Sequence, residues 1–164
     1  MSETTMDRRR AFAGPAILTW GFRPFFLLTA LHGIVVMAVW LAWLSGWMPL
    51  PDMPGGPFVW HAHEMLFGFA CAIVIGFLLT AVQNWTALRA PHGKSLLLLT
   101  LLWLCGRLLL LFGQGLPLWL VAAVDLSFLP LAAWLLAKPL LAVKQYRNLF
   151  FVPVLLLLTT CNLI

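Results

Sequence analysis

Long stretches without charged residues limit what this chain can fold into more than any other feature of its sequence. A helix that rises 1.5 Å per residue needs roughly 20 apolar residues to cross a bilayer core of about 30 Å. Five segments approach that length, and the predicted spans are 25–48, 60–82, 95–112, 116–137 and 149–164. The sequence therefore predicts an all-α, polytopic transmembrane helix bundle.

Composition supports the same class. Of the 164 residues, 63% are hydrophobic and 9% are charged, and the mean hydropathy is +0.99. A water-soluble domain of this length has no interior large enough to hide so much apolar surface. This composition excludes collagenous, disordered and disulfide-stapled secreted proteins.

The connecting segments divide the chain in the same way. Segment 49–59 is rich in proline and glycine, which end helices. The last apolar segment, 149–164, has only about 16 residues, fewer than a span needs. We therefore predict four full helices and an incomplete fifth, and we expect the chain to be part of a longer protein. Residues 1–24 are predicted to form an N-terminal segment and residues 25–164 a transmembrane helical domain.

Basic residues predict the orientation of the chain in the membrane. The formal net charge is +5, but nine of the ten Lys and Arg residues lie beside the spans and form no single patch, which argues against nucleic acid as a partner. Lys and Arg occur before residue 25, in 83–94 and in 138–148, whereas 49–59 and 113–116 have none. The positive-inside rule then places the N-terminus in the cytoplasm.

The densest group of ionisable residues is His61, His63 and Glu64, at the outer end of the second span. Ionisable groups are costly in a bilayer and therefore suggest function, and imidazole is the commonest metal ligand. At 100° per residue the two histidines lie about 200° apart. Either each histidine serves a different site, or the first turn is irregular and lets them converge. Glu64 is expected to orient His61. The alternative to a metal or cofactor site is a pair of histidines that lie at the membrane interface.

Three further ionisable residues lie inside predicted spans. His32 is about eight residues from the cytoplasmic end of the first span, which makes it either a cofactor ligand or a packing residue. Arg107 and Asp125 flank the 113–116 turn at comparable depth, so antiparallel helices bring them within reach of each other. A buried ion pair that fixes helix register is predicted, and the alternatives are binding of a cofactor carboxylate or conduction of protons.

Several sequence blocks resemble the NnrS family of membrane proteins. The resemblance runs in order along nearly the whole chain, and WHAHEM followed by GFLLTAVQNWT is its most specific part. The blocks are GFRPFF (21–26), WHAHEMLFGF (60–69), GFLLTAVQNWT (76–86), GR (106–107), DLSFLP (125–130) and RNLFFVP (147–153).

The resemblance implies a bacterial inner-membrane protein that holds haem and copper. Such a protein takes part in the nitric oxide response and in resistance to nitrosative stress during denitrification. It implies that His61 and His63 contact haem or copper, with Glu64 beside them and His32 as a further cofactor contact. Nitric oxide, or a related small molecule, is then the expected ligand. Members of the family are longer, so the chain resembles their N-terminal part.

Other functions fit the same residues. A haem–copper redox enzyme acting on a nitrogen oxide would take electrons from a redox partner and protons from Glu64 or from the pair of Arg107 and Asp125. A membrane metal-transport or metal-delivery subunit would take up its ion at His61, His63 and Glu64. The least functional alternative is a truncated product whose helices only insert. The residues alone do not decide whether the chain is an enzyme.

Overall fold

Five helices make up the described part of the chain. The computed structural model describes residues 14–49 and 55–163, and within those ranges it contains no strand. The first 13 residues of the predicted N-terminal segment, residues 50–54 of the predicted loop and residue 164 lie outside the described residues. The helices are α1 (Phe22–Leu44), α2 (Gly56–Thr86), α3 (Lys94–Phe112), α4 (Leu118–Ala142) and α5 (Tyr146–Cys161).

The predicted fold class is confirmed. Helices α1 to α4 are long and apolar enough to cross a membrane, and α5 is a shorter apolar helix. Large apolar side chains such as Leu31, Ile34 and Leu98 are exposed on the outside of the bundle. A water-soluble protein rarely shows such a continuous apolar exterior, whereas a lipid-facing surface requires it.

Helix α1 begins earlier and ends earlier than predicted. It begins at Phe22 because Pro24 falls in the first turn, where a missing N–H costs no helical hydrogen bond. The backbone N–H of Phe22 donates to Thr80 Oγ1 of α2 at 2.9 Å, so another helix satisfies this group of the first turn. The helix ends at Leu44 because Gly46, with φ +74°, forms a left-handed C-cap.

Helix α2 is longer than predicted at both ends, and its middle is not a regular α-helix. It begins at Gly56, four residues before the predicted start, because Pro57 lies in the first turn and does not break the helix. Residues Glu64–Ala70 form a π-helical segment, in which hydrogen bonds run from i to i+5. The earlier start places His61, His63 and Glu64 one turn deeper in the bundle than the predicted boundary implies.

Of the next two helices, one keeps its predicted bounds and the other does not. Helix α3 agrees with its prediction to within one residue. Helix α4 passes through Pro130 and Pro139 and ends at Ala142, five residues beyond the predicted end. Transmembrane helices tolerate internal proline because neighbouring helices and local adjustments satisfy the freed backbone groups.

Close contacts between small and large residues hold α1 against α2. Phe25 is fully buried, and a Cβ atom placed on Gly76 would lie 2.8 Å from Phe25 Cβ. A Cβ atom on Gly21 would likewise lie 2.9 Å from Leu79 Cβ. Glycine at both positions therefore lets the two backbones approach, as is common where membrane helices pack. On its other side α2 packs against α4, which also contacts α3 and α5.

Candidate functional site: a buried polar network

A buried ion-pair cluster lies between α2, α3 and α4, with Arg107 at its centre. Arg107 Nη1 donates to Glu64 Oε2 at 3.0 Å, and Arg107 Nη2 pairs with Asp125 Oδ1. The exposed fractions are 6% for Arg107, 2% for Glu64 and 7% for Asp125. Burying charges costs free energy unless each charge is paired, so this cluster fixes how the three helices meet.

Two histidines and an asparagine extend this cluster to the remaining helices. His32 Nε2 of α1 lies 2.9 Å from Glu64 Oε2, and His63 Nε2 lies 3.3 Å from Asp125 Oδ2. From the end of α5, Asn162 Nδ2 donates to Asp125 Oδ2 at 2.8 Å. We call the six residues His32, His63, Glu64, Arg107, Asp125 and Asn162 the buried polar network.

The network has an unequal number of formal charges. It contains two carboxylates and one guanidinium, so its formal charge is −1 when both histidines are neutral. His32, His63 and Asn162 supply the further polar contacts of the two carboxylates. Such contacts lower the cost of a charge in a low-dielectric interior.

Gly68, in the π-helical segment, lies directly beneath the network. A Cβ atom at this position would lie 2.7 Å from Arg107 Nη1, 2.7 Å from Glu64 Oε2 and 2.9 Å from His32 Nε2. The carbonyl oxygen of Gly68 accepts a hydrogen bond from Trp103 Nε1 at 2.9 Å. Only a residue without a side chain leaves room for three polar groups to meet at this point.

The structure brings together several residues that the sequence had singled out. Arg107 and Asp125 meet across the α3–α4 hairpin, where equal depth from the turn had placed them. His32 meets Glu64, although its depth in the first predicted span had placed it far from the outer end of the second. Both helices begin earlier than predicted, and this moves both residues toward the middle of the bundle.

His61 and His63 do not converge. The helix is regular up to His63, so the two side chains lie on different faces. The His61 ring stacks on Trp40 of α1, with a centroid distance of 4.3 Å and an interplanar angle of 13°. His61 Nδ1 is buried and has no hydrogen-bond partner among the described residues. Glu64 contacts His32 and not His61, so it does not orient His61 as expected.

Sequence reasoning missed Gly68, Trp103 and Asn162. A glycine four residues after Glu64, inside an apolar span, was the available signal for Gly68, because an interior glycine costs helix stability and needs a packing reason. Asn162 gave no signal, since its role depends on how α5 packs against α4. The indole of Trp103 was indistinguishable from the other tryptophans of the chain.

A cavity of about 290 Å³ lies between α1, α2 and α3 and ends at the network. His32, Glu64 and Arg107 contribute its polar part, Trp60, Trp103 and Phe112 contribute aromatic walls, and aliphatic side chains make up the rest. Leu31 and Leu108 line the cavity and are also exposed, so it opens at the surface between α1 and α3. An apolar passage thus leads from the outside of the bundle to the buried charges.

Comparison with known proteins identifies a family but no individual relative. The family model described as NnrS protein matches residues 16–164. No curated protein matches the sequence, and no solved structure matches it. The matched range contains every residue of the buried polar network.

Proposed function

The chain belongs to the NnrS family, and from this premise we propose that it is a haem-binding membrane protein that binds nitric oxide or a related small molecule. We further propose that it takes part in the nitric oxide response and in nitrosative stress resistance. The observation that carries the proposal is the family match over residues 16–164, which includes the WHAHEM block. The proposed location is the bacterial inner membrane, with the N-terminus in the cytoplasm as the basic segments predict.

His61 is the histidine that would bind haem iron without giving up a hydrogen bond. His61 makes no hydrogen bond to the described residues, its Nδ1 is buried, and stacking on Trp40 fixes its ring. A single proximal histidine is enough to hold haem iron in several protein classes. When bound, the haem would supply an iron atom that can bind a small neutral gas. We assign His61 as the first candidate ligand.

His32 and His63 are further candidate ligands, and they differ from His61 because each has a carboxylate partner. Each has its Nε2 atom beside a carboxylate oxygen, on Glu64 and Asp125 respectively, which leaves Nδ1 as the remaining ring nitrogen. Carboxylate–histidine pairs commonly orient metal-ligating imidazoles and raise their basicity. The same pairs also stabilise helix packing, so they support a ligand role only if a metal signal depends on them.

Copper does not fit the described residues in the same way. A protein copper site draws several nitrogen or sulfur ligands to one point. Within residues 14–49 and 55–163, no group of three or more His, Cys, Asp or Glu side chains is arranged to hold a metal ion. We therefore assign no copper ligands in this part of the chain and derive no step that uses copper.

A redox enzyme acting on a nitrogen oxide is the second candidate function. The observation that favours it is the buried polar network, which places two carboxylates, one guanidinium and two histidines in contact inside the bundle. Reduction of a nitrogen oxide consumes protons as well as electrons. Turnover of nitric oxide with an added electron donor would support the enzyme, whereas binding without turnover supports the first proposal.

A difference spectrum tests the proposed function directly. The detergent-purified chain is measured as isolated, reduced minus oxidised, together with metal analysis. We expect a haem Soret band that is lost in His61→Ala and kept in His92→Ala, a matched histidine variant in the loop at the opposite end of α2. A folded wild-type protein without haem would contradict the proposal. Stoichiometric metal without a Soret band would instead favour metal delivery.

A further inference from the structure

The cavity between α1, α2 and α3 has the features of a binding site for a second kind of molecule. We propose that it binds the ring of a membrane-soluble aromatic alcohol of the hydroquinone class. The proposal goes beyond haem and gas binding and does not depend on either. It rests on three unpaired polar atoms, on the walls of the cavity and on its opening.

Three buried polar atoms of cavity-lining residues have neither a hydrogen-bond partner nor an ion-pair partner within the described ranges. They are the acceptor Glu64 Oε1 and the donors Arg107 Nε and Trp60 Nε1. Glu64 and Arg107 are almost completely buried, at 2% and 6% exposed. Leaving such atoms unpaired costs free energy, so the site favours a ligand that pairs with both types. A hydroxyl group does this, because it both donates and accepts.

The walls of the cavity indicate the chemistry of the part of the ligand that carries the hydroxyl group. Trp60, Trp103 and Phe112 provide aromatic surfaces, and the remaining lining is aliphatic apart from the polar end. Ligand pockets range over roughly 300–1,000 Å³, so a cavity of about 290 Å³ accepts a single substituted ring and not a large macrocycle. The bound molecule is therefore a small aromatic ring that carries a hydroxyl group.

The position of the cavity opening indicates where the ligand comes from. Leu31 and Leu108 line the cavity and are exposed on the apolar exterior of α1 and α3. A ligand therefore arrives from the lipid phase, and an apolar tail on the ring can remain between these two helices. A water-soluble alcohol has no such route. Hydroquinones with a hydrocarbon tail combine the hydroxyl-bearing ring, the small size and the apolar tail.

The role of the hydroxyl group is tested on the unmodified chain by comparing two probes that differ only in that group. The probes are a dimethoxy-methyl hydroquinone with a decyl tail and its dimethyl ether, which keeps the ring and the tail but has no donor for Glu64 Oε1. Binding is measured anaerobically by equilibrium dialysis of the purified chain in detergent. We expect the ether to bind about tenfold more weakly or worse, because it loses a hydrogen bond to a charged group. Equal affinity of the two probes would overturn the proposal, whatever the variants below do.

Variants that fill the cavity test its location. Leu104→Trp and Val39→Trp add an indole to the lining from α3 and α1, and Leu101→Trp adds the same group to an exposed position on α3 outside the lining. We expect hydroquinone affinity to fall about tenfold or more in the first two and to stay unchanged in the third. Far-UV circular dichroism and size-exclusion chromatography establish folding, and Val39→Trp decides if Leu104→Trp does not fold. Unchanged binding in folded filling variants would mean partition into detergent only.

Discussion

Replacing Gly68 by alanine should destabilise the bundle, although alanine is the better helix former. The added methyl group would lie less than 3.0 Å from Arg107 Nη1, Glu64 Oε2 and His32 Nε2. Real Cβ atoms essentially never approach other heavy atoms so closely, and ordinary contact begins near 3.4 Å. Each polar atom must therefore retreat by roughly half an ångström. The three atoms hold one another, so none of them can move without affecting the others.

The size of the effect follows from opposing contributions. Alanine in place of glycine favours a helix interior by about 1 kcal/mol. Overpacking a filled interior costs about 1–3 kcal/mol. Moving Glu64 away from His32 and Arg107 stretches contacts of 2.9 and 3.0 Å, and full separation of a buried charge pair costs about 3–5 kcal/mol. With partial separation, we expect a net loss of about 2–4 kcal/mol in the free energy of unfolding.

Reversible unfolding in mixed micelles, followed by far-UV circular dichroism, measures this loss. Gly106→Ala is the matched control, since it also adds a methyl group inside a helix beside the network. Its Cβ atom would lie 3.4 Å from Asp125 Oδ1, which is ordinary contact, so we expect it to be neutral or slightly stabilising. The double variant Gly68→Ala with His32→Ala should lose less than the two single variants together, because His32 is one of the groups displaced.

Three results would contradict the predicted loss of stability. If Gly68→Ala is as stable as the unmodified chain, the methyl group has room and the three polar side chains do not meet above Gly68. If Gly68→Ala and Gly106→Ala are destabilised equally, the loss comes from helix packing in general and not from the network. If the losses of Gly68→Ala and His32→Ala add, the clash does not involve His32.

The same unfolding assay tests three other contacts. Arg107→Leu leaves the buried carboxylates without a cation and should cost about 3–5 kcal/mol, whereas Arg147→Leu, at an exposed position, should be nearly neutral; equal losses would contradict the ion pairs. Gly21→Ala should cost about 1–3 kcal/mol, because its methyl group would meet a side-chain carbon of α2 at 2.9 Å, and an unchanged stability would refute that close approach. Trp103→Phe should cost about 1–3 kcal/mol by removing the hydrogen bond to the Gly68 carbonyl and part of a buried ring, and no loss would mean that the hydrogen bond contributes nothing.

The sequence predicts the helices well where composition alone determines them. Apolar length sets the spans, so all-α architecture and four long helices follow from it. The pairing of Arg107 with Asp125 follows from a short hairpin, because equal distance from a turn fixes depth in antiparallel helices. Proline is the residue that misleads most. Pro24 and Pro57 lie in first turns, and Pro139 lies inside α4, so none of them marks the helix end that its type suggests.

The site is less predictable because its contacts join residues far apart in the chain. The meeting of Glu64 with His32 and Arg107 depends on helix rotation, and the π-helical segment Glu64–Ala70 changes the rotation of everything after His63. No residue pattern in this segment announced that change. The contact of Asn162 with Asp125 depends in addition on the packing of α5, which apolar periodicity does not specify.

The blocks that resemble the NnrS family account for most of the buried polar network. An effect on stability and an effect on cofactor binding must therefore be measured separately at these residues. WHAHEMLFGF supplies His63, Glu64 and Gly68, while the blocks at 106–107 and 125–130 supply Arg107 and Asp125. These side chains pair with one another, so changing them should alter stability whether or not a cofactor binds. His61 belongs to the same block but makes no hydrogen bond to the described residues. Replacing His61 removes no hydrogen bond and only its ring contact with Trp40, so a haem signal lost at His61 with little change in stability would mark a ligand.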